Sequence, residues 1–231
     1  MVYPTDTSIL NNVSLFQGLE PSDFERILRL AYFRKREDGS FFFLEGVAAT
    51  RLYLLTEGKV KLGQVTPEGQ QVIFNYIHPE DMFGVVSLLN EAHYTVSAQA
   101  VGDCHSIAWD ENALKQIRER WPSVCHNALQ HMTQYAANFQ HRIRELSTER
   151  VERRIARAVL RLAQQTGRKN EKGVLIDFPI TRQDLAEMTG TTRYTVSRIL
   201  QQWEKKGLVL AEREQITIRY PHGLVSIAED L

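Results

Sequence analysis

Apolar residues change their spacing twice along this chain, and each change marks a different kind of structure. Pro21-Ser22-Asp23-Phe24-Glu25 opens a short amphipathic helix, because Phe24, Ile27, Leu28 and Leu30 fall near one face at helical spacing. From about Tyr32 to Trp109 the texture is different. Short apolar stretches alternate with turn signals at Asp38-Gly39, Glu45-Gly46, Glu57-Gly58, Pro67-Glu68-Gly69 and His78-Pro79-Glu80-Asp81. Runs such as Leu52-Tyr53-Leu54-Leu55 and Val72-Ile73-Phe74 lie between them, at the spacing of a β-sandwich or barrel.

After Trp109 the period becomes helical. Glu111 to Arg120 predicts a short helix, and Trp121-Pro122 starts a long one. Within it Cys125, Leu129, Met132, Ala136, Phe139, Ile143 and Leu146 follow at steps of 4, 3, 4, 3, 4 and 3. That is the 3.5-residue apolar seam of a coiled coil, and polar flanks at Gln130, Gln134, Asn138, Gln140, Arg142 and Arg144 keep it narrow. A helix lying on its own barrel would need a broader stripe of period 3.6. The seam therefore predicts a homodimer, with this helix joining the two halves of each chain.

Val151 to Gln165 gives a further helix, with Ile155, Val159, Leu162 and Ala163 inward and Gly167 as its stop. A polar loop, Arg168 to Gly173, then leads to a strand over Val174 to Phe178. The most specific stretch is ITRQDLAEMTGTTRYTVSRIL, residues 180–200. Thr181 can N-cap a first helix, with Asp184 completing a capping box, and Gly190 sits where a tight turn needs a left-handed backbone. Thr192 caps a second helix whose Val196, Ile199, Leu200 and Trp203 face inward. Arg193, Tyr194, Ser197 and Arg198 then project outward near its start, as in a helix-turn-helix that meets base edges in a major groove. Thr181 and Arg182 at the first helix, with Thr192, complete the predicted DNA-binding set. Leu208-Val209-Leu210 followed by Gln215-Ile216-Thr217-Ile218 predicts a β-hairpin wing.

Charge supports this division. The whole chain of 231 residues is formally neutral, yet from Thr148 onward it holds 15 Lys and Arg against 11 Asp and Glu. Residues 1–147 carry the opposite imbalance, 13 against 17. The N-terminal MVYPTDTSIL has neither the basic nor the apolar region of a leader, and no apolar run could span a bilayer, so a cytoplasmic protein is expected. Two cysteines, Cys104 and Cys125, cannot supply four ligands to an iron–sulfur cluster or a structural zinc from one chain. Cys125 on the seam is read as a small apolar filler.

These motifs resemble the cyclic AMP receptor protein/Fnr (Crp/Fnr) family of bacterial regulators, and the resemblance spans almost the whole chain. It rests on the stretch at 180–200 and on EGxxxxxLYLLTEGKVKL, which begins at Glu45. The resemblance implies an α+β protein. Residues 1–120 would form a cyclic-nucleotide-binding-like sensor, a double-stranded β-helix (jelly-roll) barrel. Residues 121–147 would be the dimerisation helix and residues 148–231 a winged helix-turn-helix. It also implies a non-enzymatic transcription regulator, an activator that contacts RNA polymerase and binds an inverted repeat of double-stranded DNA. Family members whose motif matches use Arg193 and Arg198 on bases, where Arg grips guanine O6 and N7. Tyr194 stands where many relatives have Glu, which accepts from cytosine N4, so the half-site is expected to differ at that base.

The sensor departs further. Cyclic-nucleotide binders of the family follow a glycine with Glu for the ribose and later show Arg-Ser for the phosphate. Here the corresponding residues are Gly84, Val85 and Val86, then Thr95 and Val96, so both Glu and Arg are gone. These five form the candidate effector pocket, largely apolar, and cyclic AMP is disfavoured because its phosphate would lack a partner. Haem stays open as a cofactor, with His78, His93, His126, His131 and His141 as candidate axial ligands. A cupin-type metal enzyme is disfavoured, since His78, His93 and His105 show no His-x-His spacing, and no metal site is assigned.

Overall fold

The computed structural model describes residues 8–89 and 91–229; most of the N-terminal stretch examined for a leader lies outside them. The chain divides into two compact units, with the boundary between Ala137 and Asn138.

The first unit begins with a short helix, α1 (Ser8–Asn11), a 3-10 turn at Ser14–Phe16, and α2 (Pro21–Arg29), which Pro21 opens at its first turn. Six strands follow: β1 (Tyr32–Arg36), β2 (Phe41–Phe43), β3 (Leu52–Val65), β4 (Gln71–Ile77), β5 (Met82–Phe83) and β6 (Ser97–Trp109). They form one antiparallel sheet in the order β1-β6-β3-β4, with β2 also on β6 and β5 also on β3. Strands as long as β3 and β6 cannot stay flat, and register shifts at Leu55/Glu57, Glu57/Lys59 and Leu62/Gly63 bend them. The sheet thereby rolls up into the jelly-roll that the family resemblance implies.

Both faces of this sheet are covered, which explains why Leu52 to Leu55 is continuously apolar rather than alternating. Leu52, Leu54, Ile107 and Trp109 pack with the helices, α2, α3 (Glu111–Arg120) and the start of α4 (Pro122–Thr148). Trp109 is fully buried there, and its Nε1 donates to Ile27 O at 2.9 Å, so the indole N–H is not left unsatisfied. Tyr53, Leu55, Val60, Ala100 and Cys104 instead face the roll interior, with Phe42, Phe43, Phe83 and Tyr94.

The second unit takes the end of α4 and continues with α5 (Val151–Thr166), β7 (Gly167–Asn170) and β8 (Gly173–Ile176). Then come α6 (Arg182–Thr189), α7 (Arg193–Lys205), β9 (Val209–Glu212), β10 (Gln215–Ile218) and α8 (Pro221–Glu229). Three elements of this unit depart from the pattern read above. Residues 167–170 are a strand rather than a loop, paired with β8 through Gly167↔Ile176 to Asn170↔Gly173. Gly167 ends α5 without a left-handed backbone; its need is space, because a Cβ there would lie 2.2 Å from Ala163 O. Helix α8, which the pattern left unread, buries Leu224 and Ala228, and Arg157 Nε of α5 donates to Ala228 O at 3.0 Å. The sheet order is β7-β8-β10-β9, so the wing hairpin β9–β10 is backed by two more strands.

Candidate nucleic-acid interface

Local chemistry fixes the two-helix element of the second unit. Thr181 Oγ1 accepts from Asp184 N at 3.0 Å while Asp184 Oδ2 accepts from Thr181 N at 2.9 Å, the reciprocal capping box that the sequence announces. Gly190 ends α6 at φ 60, in the left-handed region. Thr192 Oγ1 then accepts from Thr195 N at 3.2 Å and starts α7. Two arginines hold the outgoing end of α6: Arg142 donates to Met188 O at 2.9 Å, and Arg154 donates to Gly190 O at 3.4 Å. Cations at a helix C-terminus also answer its negative dipole end.

Helix α7 buries Val196, Ile199, Leu200 and Trp203, which turns the other side of its first two turns outward. Arg193, Tyr194 and Arg198 are exposed there, Tyr194 to 78%, and Ser197 is half-buried among them. Neither Arg193 nor Arg198 has an ion-pair partner among the described residues. The nearby acids are engaged elsewhere: Asp184 in the cap, Glu187 with Gln183 at 3.0 Å, and Glu204 with Ala211 N at 2.9 Å. The first turn of α7 holds no acid, so its positive dipole end and both guanidinium groups face solvent together. Arg182 is placed differently. Its guanidinium donates to Ala211 O at 3.2 Å and joins α6 to the wing, rather than standing free. Arg213, whose side chain is almost fully exposed at the wing tip, was not singled out above. Its signal was the two-residue connection between β9 and β10.

The five residues assigned to an effector pocket are not brought to one surface. Gly84 takes φ 75 and leads into a 3-10 turn at Val85–Leu88. That turn sends Val85 against the helix-side core, while Val86 and Val96 pack on the roll interior. Thr95 is exposed, and its carbonyl accepts from Gln64 Nε2 at 2.8 Å. The same Gln64 nitrogen donates to Glu45 Oε1 at 2.7 Å, so a carboxylate, not a guanidinium, stands beside Thr95. Aromatic rings line the interior: Tyr94 stacks on Phe43 at 3.7 Å and Tyr53 on Phe83 at 4.9 Å. Tyr94 Oη donates to Arg51 O at 2.8 Å, and burial pushes its phenol pKa well above the usual tyrosine range.

Among the histidines considered for haem, His93 sits at a bridge to Ala48, and His126, His131 and His141 are exposed along α4. His78 is half-buried, and desolvation lowers its pKa. No group of three or more His, Cys, Asp or Glu among the described residues could hold a metal ion. On α4, Leu129, Ala136, Ile143 and Leu146 of the heptad seam are exposed, and Cys125, Met132 and Phe139 are half-buried. Val124 and Ala128 turn the other way, into the core of the first unit. Burial raises the Cys125 thiol pKa, with Arg118 opposing, which disfavours the reactive thiolate.

Residues 33–120 match the cyclic nucleotide-binding domain and residues 153–227 the Crp-like helix-turn-helix domain. The chain is 34% identical over 224 residues to the cyclic AMP receptor protein of Thermus thermophilus, covering 93% of this chain and 96% of that one. It belongs to the Crp/Fnr family. The CRP-like cAMP-activated global transcriptional regulator of Mycobacterium tuberculosis is 26% identical over 210 residues, covering 91% of this chain and 94% of its own. Among solved structures, the catabolite activator protein of Thermus thermophilus is 31% identical with TM-score 0.53, covering 94% of this chain and 99% of that one. FixK2 of Bradyrhizobium japonicum shares the fold at TM-score 0.75 and 19% identity, over 85% of this chain and 96% of its own. The Crp/Fnr relatives are transcription regulators, and this chain is one too. No helix among its described residues is long and apolar enough to cross a membrane.

Proposed function

We propose that this Crp/Fnr regulator binds an inverted-repeat operator as a homodimer, placing α7 of each protomer in a major groove. The observation that carries the reading is the outward set Arg193, Tyr194 and Arg198 at the start of a helix capped by Thr192, with no acid in its first turn. Residues 1–120 act as the sensor, 121–147 as the dimerisation helix and 148–231 as the DNA-binding domain. Two α7 helices related by a two-fold axis fit half-sites about one helical turn apart, ~34 Å between centres. Arg193 and Arg198 read guanine edges, Ser197 and Thr192 lie beside them, and Arg182 holds the wing while Arg213 at its tip meets a phosphate. RNA polymerase is the further partner that the family likeness supports.

Selection from random duplex DNA tests this reading. Arg198→Ala is expected to lose about 1–3 kcal/mol of discrimination at one base step, because truncation leaves a guanine edge unread. An equal loss on every sequence would make Arg198 a phosphate contact instead. Tyr194→Glu is expected to restore a cytosine preference at its step, and an unchanged motif would mean that the side chain does not face bases.

On this reading the regulator responds to an effector other than cyclic AMP or to none, although two relatives carry that ligand in their names. Val85 and Thr95 replace the expected ribose and phosphate partners, and Glu45 would repel a phosphate near Thr95. Calorimetric titration with cyclic AMP is expected to show no binding at physiological concentrations. A micromolar or tighter constant would overturn the assignment.

A further inference from the structure

Three arginines meet on one wall of the roll, and no acid among the described residues pairs with them. Tyr32, Arg34 and Arg36 alternate along β1, and their register partners on β6 are Ala108, Ser106 and Cys104. Those partners are buried, two of them within the roll-interior core, so Tyr32, Arg34 and Arg36 share the face that looks inward. Phe33 and Lys35 take the opposite face, where Lys35 pairs with Asp103 at 3.3 Å. Arg51, just before β3, reaches the same place, and its Nε donates to Tyr32 Oη at 3.2 Å. Arg36 lies 5.8 Å over the Phe42 ring and donates through Nε to Phe41 O at 3.0 Å. Arg34 Nε is buried with no hydrogen-bond partner among the described residues.

None of the three arginines makes an ion pair among the described residues, whereas Lys35 on the outer face does. Guanidinium groups cannot shed their charge as lysine does, so like charges held together favour an external counter-charge. The effect on Arg36 runs the same way: burial first, then Arg34 and Arg51, lower its pKa.

We propose that Arg34, Arg36 and Arg51, with Tyr32, form a binding site for a small dianion, a phosphate monoester or a dicarboxylate. Planar guanidinium forks bind such oxyanions bidentately, and the phenol of Tyr32 adds a neutral donor. A cyclic phosphodiester carries one charge and two unesterified oxygens, so it meets fewer of these donors. The site lies on β1 and the start of β3, apart from Val85 and Thr95. It goes beyond the DNA-binding reading and does not rest on it.

Isothermal titration of the full-length protein without DNA, at fixed ionic strength, tests it with phenyl phosphate and with succinate as separate probes. At least one probe is expected to saturate at one per chain with a constant below about a millimolar, and the probe that binds tells phosphate from carboxylate. Arg34→Gln and Arg51→Gln should each weaken binding at least about tenfold, roughly one lost charge-assisted contact, while Lys35→Gln on the outer face leaves it unchanged. Arg51 is exposed, so Arg51→Gln carries the test even where circular dichroism shows that Arg34→Gln does not fold. The site is refuted when neither probe saturates, when Arg51→Gln binds like wild type, or when Lys35→Gln weakens binding equally.

Discussion

Replacing Ile143 with glutamate is expected to turn the protein into a monomer in sedimentation and to weaken binding to a two-half-site operator. Ile143 is 58% exposed in the single chain, so the substitution costs the protomer little. Across the proposed two-fold seam, however, the residue would meet its own copy, and two carboxylates would be buried face to face. Uncompensated buried charge costs about 3–5 kcal/mol, which weakens dimerisation roughly a hundred- to several-thousand-fold. Operator affinity falls with it, because a lone α7 reads one half-site. Gln134→Glu, also exposed on α4 but off the seam, is the control and should remain dimeric. Should the Ile143 variant stay dimeric at micromolar concentration, the pairing surface lies elsewhere.

The second large effect is on stability. Trp203 is fully buried at the centre of the second unit, and its Nε1 donates to Glu152 Oε1 at 2.9 Å, tying α7 to α5. Trp203→Ala opens a cavity and strands that carboxylate, for about 3–5 kcal/mol. In a unit of this size that lowers the melting temperature by roughly 15–30 °C, read as a selective shift of one transition in scanning calorimetry. Trp203→Phe refills most of the volume and should recover more than half of the loss. A shift of only a few degrees for Trp203→Ala would mean that α7 is not anchored through this residue.

The parts of the molecule that were legible in the sequence are those whose causes are local. Thr181 with Asp184, Gly190 and Thr192 each act within four residues, so the two helices and their turn could be placed from spacing alone. The outward direction of Arg193, Tyr194 and Arg198 followed from the inward one of Val196, Ile199 and Leu200. What was not legible depends on distant partners. Gly167 to Asn170 is exposed and polar throughout, and it becomes a strand only because β8 offers backbone groups to pair with. Val85 was assigned to a pocket with Val86, yet the 3-10 turn between neighbouring strands sends the two side chains to different cores. Arg182 was counted in the DNA-binding set from its place at the start of α6, and its bond to the carbonyl of Ala211, 29 residues on, could not be foreseen from spacing. The basic wall was not read from the sequence, because nothing local to Arg34 and Arg36 sets the face they take. Only the register with Ser106 and Cys104 turns them inward.

The four-strand order β7-β8-β10-β9 has a mechanical consequence for the wing. A free two-stranded hairpin is marginal in water and would have to be ordered each time it met a ligand. Here Thr217 and Ile218 of β10 are held on both sides, by Leu175 and Val174 of β8 and by Leu210 and Val209 of β9. The hairpin's conformational entropy is therefore lost once, when the domain folds. In the proposed complex Arg213 would arrive at a duplex on a fixed jaw, so the geometry of that contact would be set before any encounter and its specificity would be that of a template rather than of an adapting loop.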